Sequence, residues 1–153
     1  MMTKIKVGDL LPTFSLPDEN NMLVDIKEEL KQNHLIIYFY PKDNTMGCTV
    51  EASKFRDSYS EFLDKGARVI GISADPPESH RQFKEKCAIP YTLLSDTSKE
   101  VRDMFGIKPS LFGLLAGRVT YVVDKTGEIK HVFDSQWQPE KHIEEALEAL
   151  ETI

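Results

Sequence analysis

Leu35-Ile36-Ile37-Tyr38-Phe39-Tyr40-Pro41-Lys42-Asp43-Asn44-Thr45-Met46-Gly47-Cys48 is the stretch on which the fold turns. Its first six residues are continuously apolar, β-branched and aromatic, which predicts a strand buried on both faces. Pro41 stops that strand, because proline has no N–H to give the next ladder position. The polar residues 42–47 read as a loop, and a helix is expected from there to about residue 65. Cys48, Ala52, Phe55, Tyr59 and Phe62 recur on one face of that helix, and Gly66 terminates it. Outward from this unit the alternation repeats. Strands are expected over 68–74 and 91–94, and helices over 78–87 and 98–105, with Asp75-Pro76-Pro77 as a turn. Strands over 119–123 and 128–133 flank Asp124-Lys125-Thr126-Gly127, a hairpin signal. Residues 139–150 read as a last amphipathic helix. Strands alternating with helices imply right-handed crossovers and a central sheet covered on both faces. The late hairpin makes that sheet mixed. The pattern is that of an α/β, thioredoxin-like fold, although flavodoxin-like folds also alternate.

The chain has 153 residues and is expected to form one domain over 1–153. At that size it needs neither a disulfide nor a metal to fold. Its 41% hydrophobic and 29% charged residues are an ordinary globular mixture. The net charge of −6 argues against nucleic acid or an anionic membrane as partner, since phosphate binding needs clustered Lys and Arg. No stretch approaches the ~20 apolar residues of a membrane span. Residues 1–9 lack the uninterrupted apolar core of a signal peptide. Two cysteines do not make a secreted disulfide framework. A cytoplasmic protein with reduced thiols is the expectation.

Cys48 follows a strand and loop and falls in the first turn of the expected helix. Free amide N–H groups and the positive end of the helix dipole favour an anion there, so the position activates a thiolate. A cysteine can equally be a small core hydrophobe. The segment Pro41-Lys42-Asp43-Asn44-Thr45-Met46-Gly47-Cys48 decides between them, because it resembles the peroxiredoxin signature of Pro, three residues, Thr, two residues, Cys. With Tyr38-Phe39-Tyr40 before it and Thr49, Glu51-Ala52 and Phe55-Arg56-Asp57 after it, the chain is similar to the Q-type branch, the bacterioferritin co-migratory proteins. The similarity extends from Val7-Gly8-Asp9 and Pro12-Thr13-Phe14 through Leu93-Leu94-Ser95-Asp96 to Gln138-Pro139-Glu140.

That resemblance implies a thiol-dependent peroxidase acting on hydrogen peroxide and alkyl hydroperoxides, with no metal, haem or flavin cofactor. Cys48 would be the nucleophile and become a sulfenic acid. Thr45 would place its hydroxyl between thiolate and peroxide, and Pro41 would shield the sulfur from water. Arg118, in Gly117-Arg118-Val119-Thr120-Tyr121, would supply positive charge to the leaving oxygen. Glu51 would hold that arginine by a charged hydrogen bond. Thioredoxin or another thiol reductant is the implied partner, and a monomer the implied state. Rival readings are a redox sensor on the same scaffold and a binding module with an inert thiol.

The chain departs from the family at two places. Many Q-type members carry a resolving cysteine five residues beyond the first, where this chain has Ser53, and Met46 stands where proline is usual. Cys87 is then the only internal candidate for resolution. Its i, i+4 spacing from Phe83 suggests a packed residue, and some family members resolve from that helix, so both roles stay open. His34, His80, His131 and His142 are too scattered for a metal cage and read as solvated or packed. The absence of Cys-x-x-Cys disfavours a dithiol reductase. Trp137 reads as a packed aromatic or a residue near the active-site surface.

Overall fold

A computed structural model describes residues 4–107, 118–135 and 138–153. Its centre is a five-stranded sheet in the order β5-β4-β3-β6-β7. The strands are β3 (His34–Phe39), β4 (Ala67–Ser73), β5 (Thr92–Ser95), β6 (Val119–Val123) and β7 (Ile129–Asp134). β3, β4 and β5 run parallel, while β6 is antiparallel to both β3 and β7. The mixed sheet expected from the alternation and the late hairpin is therefore present, and the fold is thioredoxin-like. In the hairpin turn Asp124 Oδ1 accepts from the Thr126 and Glu128 amides, and Gly127 takes φ 90°.

Period-two alternation on β3 divides the core. Leu35, Ile37 and Phe39 face one cluster with Ile72, Val101, Phe105 and Tyr121. Ile36, Tyr38 and Tyr40 face the other, with Cys48, Phe55, Phe83, Cys87 and Ile143. The first face is closed by α1 (Ile26–Leu30) and α5 (Glu100–Met104), and the second by α2 (Met46–Asp57), α3 (Tyr59–Asp64), α4 (Pro77–Cys87) and α6 (Pro139–Leu150). A strand buried on both sides has no polar face to show. That is why its sequence reads as an unbroken apolar run.

Three local outcomes differ from the expectations. The helix anticipated to residue 65 breaks at Ser58 (φ −102°, ψ 5°), and the new direction brings Tyr59 to 5.7 Å from Tyr91 between ring centroids. α5 starts later than residue 98. Lys99 is left-handed (φ 64°), and the Asp96 carboxylate takes the Val101 and Arg102 amides as a remote cap. Before β3, a two-stranded ribbon of β1 (Ser15–Pro17) and β2 (Leu23–Asp25) leads into α1, capped by Asp25 on the Lys27 amide. Elements this short leave no periodicity to read.

Candidate active site

The site forms where the carboxyl end of β3 meets the start of α2. Thr45 is the N-cap residue of α2 and Cys48 its third residue, so the sulfur lies in the first turn. The Phe39↔Val119 pairing sets Arg118 beside the end of β3, where the loop leaves the sheet. From there Arg118 Nη2 donates to Cys48 Sγ at 3.4 Å, and Nη1 donates to Glu51 Oε1 at 2.6 Å. Cys48, Glu51 and Arg118 are all buried. Gly47 permits this approach: a Cβ there would stand 2.9 Å from Arg118 Nη2.

Thr45 is exposed, and its hydroxyl donates to the Lys42 carbonyl at 2.9 Å rather than capping the helix. Pro41 is half-buried at the start of the loop. Cys87 is buried at the end of α4 in the same cluster as Cys48, and both thiols are free. Its backbone carbonyl accepts from Arg56 Nη1 at 2.6 Å. Trp137 lies outside the described residues.

The electrostatics qualify the expectation of a readily formed thiolate. Burial pushes the Cys48 thiol above its ordinary value, and it outweighs the opposing pull of the Arg118 charge, the Thr45 hydroxyl and the Lys42 backbone. At 1% exposure the sulfur has lost nearly all its water. Arg118 is thus needed to offset desolvation. Glu51 is pushed up to about 8 by its own burial, against the pull of Arg118.

Sequence reasoning passed over several groups that hold this centre. Asp43, inside the loop, accepts from the Tyr40 hydroxyl at 2.5 Å and from Ser79 at 2.8 Å, and it contacts His80 Nδ1 at 2.8 Å. Its amide donates to Asp75, so the loop is tied to β4 and α4 at once. Asp43, Asp75 and His80 bring ligand atoms within 4.8 Å of one another. Those atoms are already engaged in these bonds, which makes the group an anchor for the loop. Arg102 is also buried and donates to the Tyr40 carbonyl at 3.2 Å. His142 is buried behind Glu51, between Thr120 and Ser135. A polar residue on the apolar stripe of an expected helix was the available signal for His142. Arg102 had no such signal, because its burial depends on how α5 docks.

Residues 7–132 match the model of the AhpC/TSA family. The chloroplastic peroxiredoxin Q of Suaeda salsa is 45% identical over 153 residues, which is 100% of this chain and 71% of that protein. Among solved structures, peroxidoxin BcpB from Mycobacterium tuberculosis matches with a TM-score of 0.90 at 35% identity, covering 97% of this chain and 98% of that one. The Xanthomonas campestris bacterioferritin comigratory protein, described for its alkyl peroxide reduction activity, matches with a TM-score of 0.80 at 25% identity, covering 94% and 98%.

Proposed function

The chain belongs to the AhpC/TSA family and is a thiol-dependent peroxidase, and on that premise we propose that Cys48 is the sulfur that peroxide oxidises. The Cys48 thiolate attacks one oxygen of ROOH and the O–O bond breaks. With one proton taken up, the products are Cys48–SOH and ROH. The Arg118 guanidinium meets the charge that builds on the leaving oxygen, and the Thr45 hydroxyl orients the peroxide. Pro41 limits water at the sulfur. The observation that carries this reading is the 3.4 Å contact from Arg118 to Cys48 in the first turn of a helix.

Substrate must reach a buried sulfur, so the reaction includes local opening of the first turn of α2, where Met46 is 85% exposed and Gly47 has no side chain. Ser53 removes resolution within α2. Cys87 sits packed in the core, so the sulfenic acid is reduced chiefly by an external thiol such as thioredoxin. One thiol condenses with Cys48–SOH to a mixed disulfide and water, and a second thiol releases Cys48–SH. A Cys48–Cys87 bond forms only after unwinding, since a disulfide needs Cα atoms within ~7 Å and suitably directed Cβ atoms. Two free cysteines suit a reducing, cytoplasmic setting, and no described helix is long and apolar enough to cross a membrane. The protein acts as a monomer.

Mass spectrometry after one equivalent of peroxide tests the cycle. A gain of one oxygen on Cys48 is expected. Rapid quantitative loss of two hydrogens would instead assign Cys87 as an efficient resolving residue.

A further inference from the structure

Cys87 is the last residue of α4, and the end of that helix is held by a side chain from α2, the helix that carries Cys48. The guanidinium of Arg56 is fixed on Asp57, with Nε donating to Oδ1 at 3.0 Å and Nη2 lying 3.0 Å from the same oxygen. Its remaining nitrogen faces α4, where Nη1 donates to the Cys87 carbonyl at 2.6 Å. A carbonyl in the last turn has no donor within its own helix, so the guanidinium supplies one. Just beyond, Ala88 takes φ 52° and ψ 46°, a left-handed conformation that a side chain makes unfavourable. The end of α4 thus leaves the helix under strain. Arg56 holds it there, together with the Ile89 amide on the Lys84 carbonyl at 3.0 Å and the burial of Ile89.

These contacts fix where Cys87 can go. Arg56 stands eight residues beyond Cys48, which is about 12 Å along α2. The opening proposed above frees the first turn of α2, but the Tyr91 hydroxyl donates to the Ala52 carbonyl at 3.0 Å, and Phe55 is stacked on Tyr38 at 4.6 Å between ring centroids. Unwinding is therefore confined to the residues ahead of Ala52. A disulfide needs Cα atoms within ~7 Å, so the end of α4 must come free as well. Freeing it breaks the Arg56 bond.

Resting on the Cys48 reading above, we propose that Arg56 is a positioning residue that selects the reductant: by holding the Cys87 carbonyl it keeps Cys87 from the Cys48 sulfenic acid and leaves that group to an external thiol. The two routes share their first step and diverge at the sulfenic acid. With Arg56 in place, an external thiol condenses with Cys48–SOH to a mixed disulfide and water. With the end of α4 released, the Cys87 thiol makes the same attack, forming a Cys48–Cys87 disulfide and water.

One equivalent of peroxide without added thiol, followed by mass spectrometry of acid-quenched samples, tests this. The wild-type protein should hold one added oxygen on Cys48 and convert slowly to a form two hydrogens lighter than the reduced protein. In Arg56→Met, which keeps an apolar stem and removes every donor, that conversion should be about tenfold faster, the scale of one charged hydrogen bond. Stopped-flow oxidation of Cys48 in the same variant should keep the wild-type rate and pH profile. Hydrogen exchange should quicken at the amides of residues 84–89 and stay unchanged at 46–49, whereas a general loss of packing would raise both. Arg56→Met combined with Cys87→Ser should show no conversion. Equal conversion rates in the wild type and Arg56→Met overturn the proposal, as does a wild-type protein that converts as fast as it is oxidised. Should Arg56→Met fail to fold, Arg56→Lys, with one ammonium in place of the fork, decides in the same assay. About threefold faster conversion is expected there, on the scale of part of a hydrogen bond, and an unchanged rate overturns the proposal. Failure of the Cys48 reading would appear instead as undiminished peroxide turnover in Cys48→Ser.

Discussion

Gly47→Ala should make this enzyme slower without making it less stable. The added Cβ would stand 2.9 Å from Arg118 Nη2, inside any ordinary carbon–nitrogen contact, and the backbone of Gly47 has no positive φ to strain. The atom that must yield is the far end of a side chain, so Arg118 moves by about 0.5 Å while Nη1 stays on Glu51. Lengthening the 3.4 Å contact to the sulfur to ~3.9 Å weakens the Coulomb attraction by ~0.6 kcal/mol at an effective dielectric of about 20. Loss of part of a charged hydrogen bond adds on the order of 1 kcal/mol. Together these give about 1.5 kcal/mol, or roughly tenfold in rate and about one unit upward in the Cys48 pKa. Replacing glycine by alanine in a helix acts in the opposite direction on stability, by up to ~1 kcal/mol in favour of the folded state. Stopped-flow oxidation by peroxide across pH, paired with a urea melt, measures both. Wild-type oxidation rate and pKa in Gly47→Ala would refute the argument that a missing side chain at this position sets the guanidinium distance.

Cys48→Ser should abolish peroxide consumption while circular dichroism stays native, since the nucleophile alone is removed. Arg118→Ala should slow the first oxidation by on the order of 10²-fold, the scale for losing a preorganised charge donor, and should move the pH–rate profile to higher pH. An unchanged profile would make Arg118 a bystander. Cys87→Ser should leave the first phase of peroxide oxidation nearly intact and alter only later steps; a large early loss would place Cys87 in the catalytic pocket. Acidification should destabilise the fold through His142, whose pKa is held down from 6.5 to about 4 by desolvation. That stability is complete above the unfolded value of 6.5 and is lost as pH falls through about 4. Urea midpoints over that window should therefore decline less in His142→Leu than in the wild type.

The candidate site was legible to the extent that it is local. Pro41, Thr45 and Cys48 lie within one strand–loop–helix segment, and their spacing both marks the turn of chain and carries the resemblance to a known family. Arg118 and Glu51 could be named only through that resemblance. No periodicity places an arginine 70 residues downstream on the Cys48 sulfur. Asp43 was visible as a loop residue but not as the knot joining β4 and α4, because its partners Asp75, Ser79 and His80 come from a separate unit of chain.

What the sequence determined by itself is the set of elements with strong periodicity. A strand buried on both faces must be apolar throughout, a helix that covers a sheet must show a 3.6-residue stripe, and proline and glycine must mark where neither can continue. These are properties of neighbouring residues, and neighbours are written in order. The tertiary structure decided what burial does to charge. It left Cys48 at 1% exposure, so that desolvation outweighs the pull of Arg118, Thr45 and the Lys42 backbone toward the thiolate. It set the Glu51 carboxyl against the imidazole of His142, 91 residues further along the chain. Solvent exclusion and the placing of one charge against another depend on how α2, α6 and β6 pack together, and no local pattern encodes a dielectric environment.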